Sequence, residues 1–262
     1  MLYTFCYKQF GGPSPFHRQQ SERNKTEMAI DKSKCDPELG QKVFQHLKSK
    51  GYLGTETGVL DDHDVRIANV KHHVEEMLKA FGLNLQDEQL LETPKRIAKA
   101  WVNELVSGLD WTAFPKCTTF DAGHVSNQSF VVEKGAPIKS VCAHHFLPFF
   151  GLKGNNDHFD FGPGATIAYI PNGKIIGISK LSRLSLFLSQ RPCNQEELCN
   201  IIREVLCYVL NTESVAVYMN CHHTCQTLRG SESNGSMVVL SASGEFQNNP
   251  AIRSEFLAIA RG

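Results

Sequence analysis

The sequence predicts an α+β fold, and three observations carry that prediction. Helical periodicity dominates from Asp61 to about Trp111. Beyond Cys117 the pattern changes to short apolar runs separated by glycine and proline, the mark of strands. A helical pair then interrupts these strands, which resume before a terminal helix. Helices, antiparallel strands, helices and strands again fit segregated layers rather than a doubly wound parallel sheet.

Residues 1–34 start Met1-Leu2-Tyr3 and become polar through Gln19, Gln20, Ser21, Glu22 and Arg23. They lack the basic start and continuous apolar stretch of a secretory signal. Glu22, Glu27 and Asp31 weaken the case for an organelle transit peptide, and Met28 offers an alternative start. This stretch reads as a disordered leader. Residues 1–60 are expected to be a leader with a short helical part, and 61–262 the functional domain. In the first predicted helix Val65, Ile67, Val70, Val74, Met77, Leu78 and Phe81 recur at helical spacing, and Gly82 stops it. Glu92-Thr93-Pro94 opens the next, with Thr93 as cap and Pro94 in the first turn. Its apolar face is Ile97, Ala98, Trp101, Leu105 and Val106.

Strands are expected at 130–132, 138–141, 146–152 and 166–170, with the last two joined by a turn-rich loop, Asn155 to Gly164. Residues 181–188 and 194–210 form the helical pair, the second carrying Leu198, Ile201, Ile202, Val205 and Leu206 on one face. Strands at 214–220 and 237–243 close the sheet, and 253–260 reads as a short terminal helix.

Composition excludes several classes. The 262 residues suit one large domain or two small ones. With 41% hydrophobic and 21% charged residues, the chain is globular rather than disordered. Its 27 basic and 27 acidic residues balance, which argues against nucleic-acid binding through bulk charge. A local phosphate pocket stays compatible with that balance. No apolar run approaches the ~18 residues that span a bilayer, so the expectation is a soluble, cytoplasmic protein that engages neither membrane nor nucleic acid.

Nine cysteines without a secretion signal point away from a disulfide framework. Cys199 and Cys207 sit in an apolar helical pattern and read as small buried residues. Cys142, Cys221 and Cys225 differ because they lie beside histidines. In Ser140-Val141-Cys142-Ala143-His144-His145, Cys142 and His145 are three apart and can converge on one metal, with His144 pointing elsewhere. In Cys221-His222-His223-Thr224-Cys225, period-two alternation sends Cys221, His223 and Cys225 to one face. Zinc favours thiolate and imidazole, and a catalytic site uses three protein ligands plus water. The same clusters also fit a closed four-ligand structural site, or no metal at all, and spacing leaves these readings open.

Other polar groups suit an anionic substrate. Lys180 and Arg183 follow an apolar strand ending Gly177-Ile178-Ser179, where basic groups can meet phosphate oxygens. Arg96 and Lys99 share a helix face. Each pair alone more often marks a solvated helix face. Gln195 and Glu196 open the later helix, where Glu196 is either a first-turn carboxylate favoured by the dipole or an acceptor for a purine edge.

Five ordered motifs then make the chain familiar: LETPKRIAK, SVCAHHFLPFFG, AYIPNGKIIGISKLSRL, SQRPCNQEEL and HTCQTLRG. From Asp61 to Gly262 the sequence resembles the GTP cyclohydrolase I family, zinc enzymes that convert GTP into 7,8-dihydroneopterin triphosphate and formate at the start of folate and tetrahydrobiopterin synthesis. The resemblance implies a tunnelling fold, an antiparallel sheet with flanking helices and an N-terminal helical region. It implies a homo-oligomer of two stacked pentamers, in which strands of neighbouring subunits join into a barrel and active sites draw on more than one chain. It further implies zinc held by Cys142, His145 and Cys225. By the same resemblance Arg96, Lys99, Ser179, Lys180, Arg183 and Arg229 grip the triphosphate. Glu196 with Gln195 would read the guanine edge, and His144 and His223 would transfer protons.

The chain departs from the family pattern at several positions. Ala143 stands where the family has glutamate, removing an acceptor beside the histidine pair. Met237, Val238 and Val239 replace a run of threonines, Ser231 follows Arg229-Gly230, and the loop from Asn155 to Gly164 is long for the family. Three other readings remain on the sequence: a weakly active GTP-binding paralogue that regulates an active partner, a related tunnelling-fold enzyme with a different purine or pterin substrate, and a redox-sensitive zinc protein in which Cys142 and Cys225 pair once metal is lost.

Overall fold

The computed structural model describes residues 31–123, 130–151 and 164–262. The leader up to residue 30, Leu152 and all of the long loop except Gly164 lie outside the described residues. Helix α1 (Pro37–Ser49) is capped by Asp36, whose carboxylate accepts the Leu39 N–H at 3.0 Å. It falls within the stretch expected to be a leader with a short helical part, and it buries Val43, Phe44 and Leu47 in the main core. Helix α2 (His63–Ala80) stops where expected, with Gly82 at φ +80°. Only Val74 and Leu78 of its periodic set are buried, whereas Val65, Met77 and Phe81 are exposed. Helix α3 (Thr93–Ala100) begins at Thr93 rather than being capped by it, with Pro94 in the first turn. It runs on into a five-residue π-turn, Trp101–Leu105.

The strands follow as β1 (Thr119–Asp121), β2 (Val131–Ala136), β3 (Ile138–Cys142), β4 (Pro148–Gly151), β5 (Gly164–Tyr169) and β6 (Lys174–Ile176). Helix α4 (Ile178–Ser189), the two-residue strand β7 (Pro192–Cys193) and helix α5 (Gln195–Leu210) come next. Then come β8 (Val215–His223), the helical turn α6 (Thr224–Thr227), β9 (Ser236–Ala242), the short α7 (Glu245–Asn248) and α8 (Pro250–Arg261). The α+β expectation holds, with segregated helices on a largely antiparallel sheet. Sequence periodicity missed β1 and the parallel β3–β7 contact, where runs of two or three residues carry no readable alternation. The apolar strand expected to end at Gly177-Ile178-Ser179 is β6, which stops at Ile176 because helix α4 starts at Ile178.

Strand β8 is the hub of the seven-stranded sheet. Along one edge it pairs first with β5 (Tyr169 opposite Val215, Gly164 opposite Asn220) and then with β4 (Phe149 opposite His223). Along the other edge it pairs with β9 from Ala216–Ala242 to His222–Ser236. Alternation along β8 sends Val215, Val217, Met219 and Cys221 into the main core, beneath Leu184 and Leu188 of α4 and Ile202 and Val205 of α5. Ala216 faces the opposite side, where Phe246 and Phe256 cover it. Gly151 and Gly164 approach so closely that a Cβ on either would collide with backbone, so β4 and β5 can meet here only as glycines. The sheet thus delivers the ends of β3, β4 and β8 to one place, and the chemistry sits there.

Candidate active site

Strand β3 ends at Cys142, and a tight turn follows. The Phe146 N–H donates to the Cys142 carbonyl at 2.9 Å, and the Cys142 N–H donates to the Leu147 carbonyl at 2.8 Å. The turn therefore holds Cys142 and His145 on a closed loop. Strand β8 supplies the third donor by a route the sequence did not reveal. Extended alternation stops at His223, and the helical turn α6 carries Cys225. Thr224 Oγ1 donates to the Pro148 carbonyl at 2.6 Å and pins that turn to the start of β4. Cys221, expected on the same face, is fully buried in the core instead.

The ligand atoms of Cys142, His145 and Cys225 all lie within 4.8 Å of one another. Arg229 Nη1 lies 2.7 Å from His145 Nε2, and because a guanidinium only donates, Nε2 accepts. His144 Nδ1 is 3.8 Å from Cys142 Sγ, beside the group without joining it. Burial raises the Cys225 thiol above its ordinary pKa, and a hydrogen bond shared with Cys142 adds to that, while the Arg229 guanidinium opposes it. A divalent cation reverses this preference, since a coordinating thiol is deprotonated. Two thiols and an imidazole are soft donors, and three of them leave a position open, so the residues fit a metal ion.

Phe146, next to His145, adopts φ +57°, a left-handed conformation uncommon outside glycine and asparagine. Half exposed, its ring stacks on Trp101 at 4.9 Å and 14°, in the π-turn that continues α3. The stack holds an otherwise unfavourable turn and ties it to the helix bearing Arg96 and Lys99. Trp101→Leu is therefore expected to lower metal affinity about 10- to 100-fold, with Trp101→Phe close to the wild type. Chelator competition checks this, and unchanged affinity in Trp101→Leu would contradict it.

A cavity of about 810 Å³ opens beside the metal-binding group and is lined by Cys142, His144, Gln195, Glu196, His223 and Cys225. His223 stacks on Phe149 at 4.5 Å and 5°, and its Nε2 lies 2.7 Å from Gln195 Oε1. Burial lowers its pKa, the Glu196 carboxylate opposing and His222 adding to the effect. Glu196 is exposed at the start of α5, but Gln195 beside it is buried, so the expected guanine-reading pair is split. The Gln195 amide is engaged with the protein on both sides, its nitrogen contacting the Met219 and Met237 carbonyls. Gly51, Tyr52, Gly54 and Thr55 also line the cavity. Sequence reasoning missed them, because a short glycine-rich segment between helices has no periodic signal.

Most of the basic set is absent from the lining of this cavity. Arg96 and Lys99 are on α3, while Ser179, Lys180 and Arg183 are on the first two turns of α4, and none of them lines this cavity. Arg229 of that set contacts His145 of the metal-binding group. Ala143, half-buried in the turn, contributes its N–H to the Cys193 carbonyl at 3.3 Å and has no side-chain acceptor.

Known proteins are similar to this chain over most of its length. The model of the family described as GTP cyclohydrolase I matches residues 70–261. GTP cyclohydrolase 1 of Shewanella denitrificans is 39% identical over 197 residues, covering 75% of this chain and 85% of that protein. The protein of the same name from Pasteurella multocida is 35% identical over 228 residues, 87% of this chain and 98% of the relative. That of Shewanella baltica strain OS185 is 38% identical over 208 residues, 78% and 90% respectively.

Proposed function

The chain belongs to the GTP cyclohydrolase I family, and from that membership we propose that it hydrolyses GTP to 7,8-dihydroneopterin triphosphate and formate with zinc on Cys142, His145 and Cys225. The observation that carries this reading is the convergence of those three donors beside a cavity lined by His144, His223 and Glu196. Bound there, zinc supplies a nucleophilic water near neutral pH.

The chain's own residues then have distinct tasks. Glu196 accepts from the guanine edge and orients the base with C8 toward the metal-binding group. His223 moves a proton at N7 as water adds across the C8–N7 double bond, and His144 serves the later step that frees formate. A histidine suits both transfers because its ordinary pKa lies near the working pH. Arg96, Lys99, Ser179, Lys180, Arg183 and Arg229 hold the triphosphate, so binding far from the reacting ring orients it. The eight described cysteines are all free thiols, in keeping with a cytoplasmic location. Among the described residues no helix is long and apolar enough to cross a membrane.

Five of the six triphosphate residues do not line the cavity of their own chain, which supports a site shared between subunits in a decamer of two pentamers. Subunit complementation tests this. Cys225→Ala and Arg183→Ala chains, each inactive alone, are expected to recover GTP turnover when co-assembled. Mixed oligomers verified by native mass spectrometry that stay inactive would contradict a shared site.

A further inference from the structure

Gln195 opens α5 with 1% of its surface exposed, and its surroundings determine which way its amide points. Its Nε2 lies 3.2 Å from the Met219 carbonyl of β8 and 3.0 Å from the Met237 carbonyl of β9. Carbonyl oxygens only accept, so the amide nitrogen has to face them. That turns Oε1 to the other side, 2.7 Å from His223 Nε2. An amide oxygen also only accepts, so the hydrogen in this bond belongs to Nε2. Phe149, stacked at 4.5 Å and 5°, holds the ring plane as well.

We propose that Gln195 is a positioning residue for His223, holding the imidazole with its Nε2–H directed into the protein so that Nδ1 alone exchanges protons with the substrate. This rests on the reading of His223 as the proton carrier in GTP hydrolysis. An uncharged imidazole whose hydrogen sits on Nε2 has its lone pair on Nδ1, so in this orientation His223 takes up a proton there before it gives one. When water adds across the C8–N7 double bond, its oxygen bonds to C8. The proton it releases passes to Nδ1 and from there to N7, leaving His223 as it began. The bond from Nε2 to Gln195 persists throughout. Recognition of the guanine edge is then left to Glu196, and Gln195 links β8, β9 and α5 behind it.

Gln195→Met preserves side-chain length and removes both polar ends. In the metal-loaded assembly, kcat for GTP is expected to fall about 10- to 100-fold, as for other loss of a group that orients a reacting one, with KM within twofold and metal content unchanged. In a His223→Ala background the same substitution is expected to have no further effect, because Gln195 acts only through that ring. A raised KM with kcat held, a changed preference between GTP and inosine triphosphate, or additive losses in the double variant would overturn the proposal. Should Gln195→Met fail to assemble, the crystal structure of metal-stripped wild-type protein with GTP decides. Gln195 Oε1 remaining on His223 Nε2 is the expected result, and an amide swung onto the guanine would overturn it. A wild-type enzyme that binds GTP without turning it over would instead count against the enzymatic reading, separately from where Gln195 points.

Discussion

Cys225→Ala is expected to lose its bound metal and its GTP turnover together. The ligand atoms of Cys142, His145 and Cys225 come from two segments that only the sheet brings together, and all lie within 4.8 Å of one another. Removing one thiolate leaves two donors and a wider opening, too few to hold a zinc ion against solvent. Loss of a group that merely supports a ligand costs about 10- to 100-fold, and loss of a ligand itself is expected to exceed that. Cys142→Ala should behave alike. His144→Ala gives the necessary contrast, since His144 sits beside the metal-binding group without belonging to it. It is expected to retain metal while turnover falls. Metal analysis of the three purified variants, alongside formate release, checks the pattern. Full metal occupancy in Cys225→Ala would show that the group is not the metal site.

The second large effect is on stability. Arg191 and Glu56 are 1% and 6% exposed and meet at 2.5 Å. The remaining donors of Arg191 reach the Leu188 and Gly108 carbonyls, both at 2.7 Å, and its guanidinium lies 4.7 Å over the Trp111 ring. Trp111 Nε1 donates to the second Glu56 oxygen at 3.0 Å. Every polar end of this buried pair is thus satisfied, and truncating either partner strands a charge in a dry interior. Glu56→Ala is expected to cost about 3–5 kcal/mol, a fall of roughly 10 °C in melting temperature for a chain of this size. Thermal melting at fixed protein concentration checks this. A shift under about 2 °C, well below that estimate, would mean that the pair contributes little.

Local order was legible wherever chemistry repeats over a turn or more. Gly82 stopped its helix, the apolar face of α5 came out as read, and Cys142 and His145 converged as their spacing suggested. Legibility failed where the deciding contact is remote in sequence. The Trp101–Phe146 stack joins residues 45 apart, and Glu56 reaches Arg191 across 135. Cys225 arrives by a helical turn anchored on Pro148, a contact 76 residues away that alternation along β8 does not encode. Gln195 shows a subtler limit. Its position at the start of α5 was plain, but its orientation depends on carbonyls of two strands that only the folded sheet aligns. That Arg96, Lys99, Ser179, Lys180 and Arg183 do not line the cavity was equally illegible, because the face of a short basic helix carries no signal of what it will meet in the fold.

The most direct test of the central reading is GTP turnover by metal-quantified wild-type protein, following formate together with the fluorescence of the oxidised pterin. The expected result is one formate released per pterin formed, with both signals lost in Cys142→Ala. That outcome would also show that Ala143, which has no carboxylate to orient the neighbouring histidines, still permits catalysis. Full zinc occupancy and GTP binding with no formate would contradict the enzymatic reading, and a nucleotide-binding partner of an active enzyme would take its place.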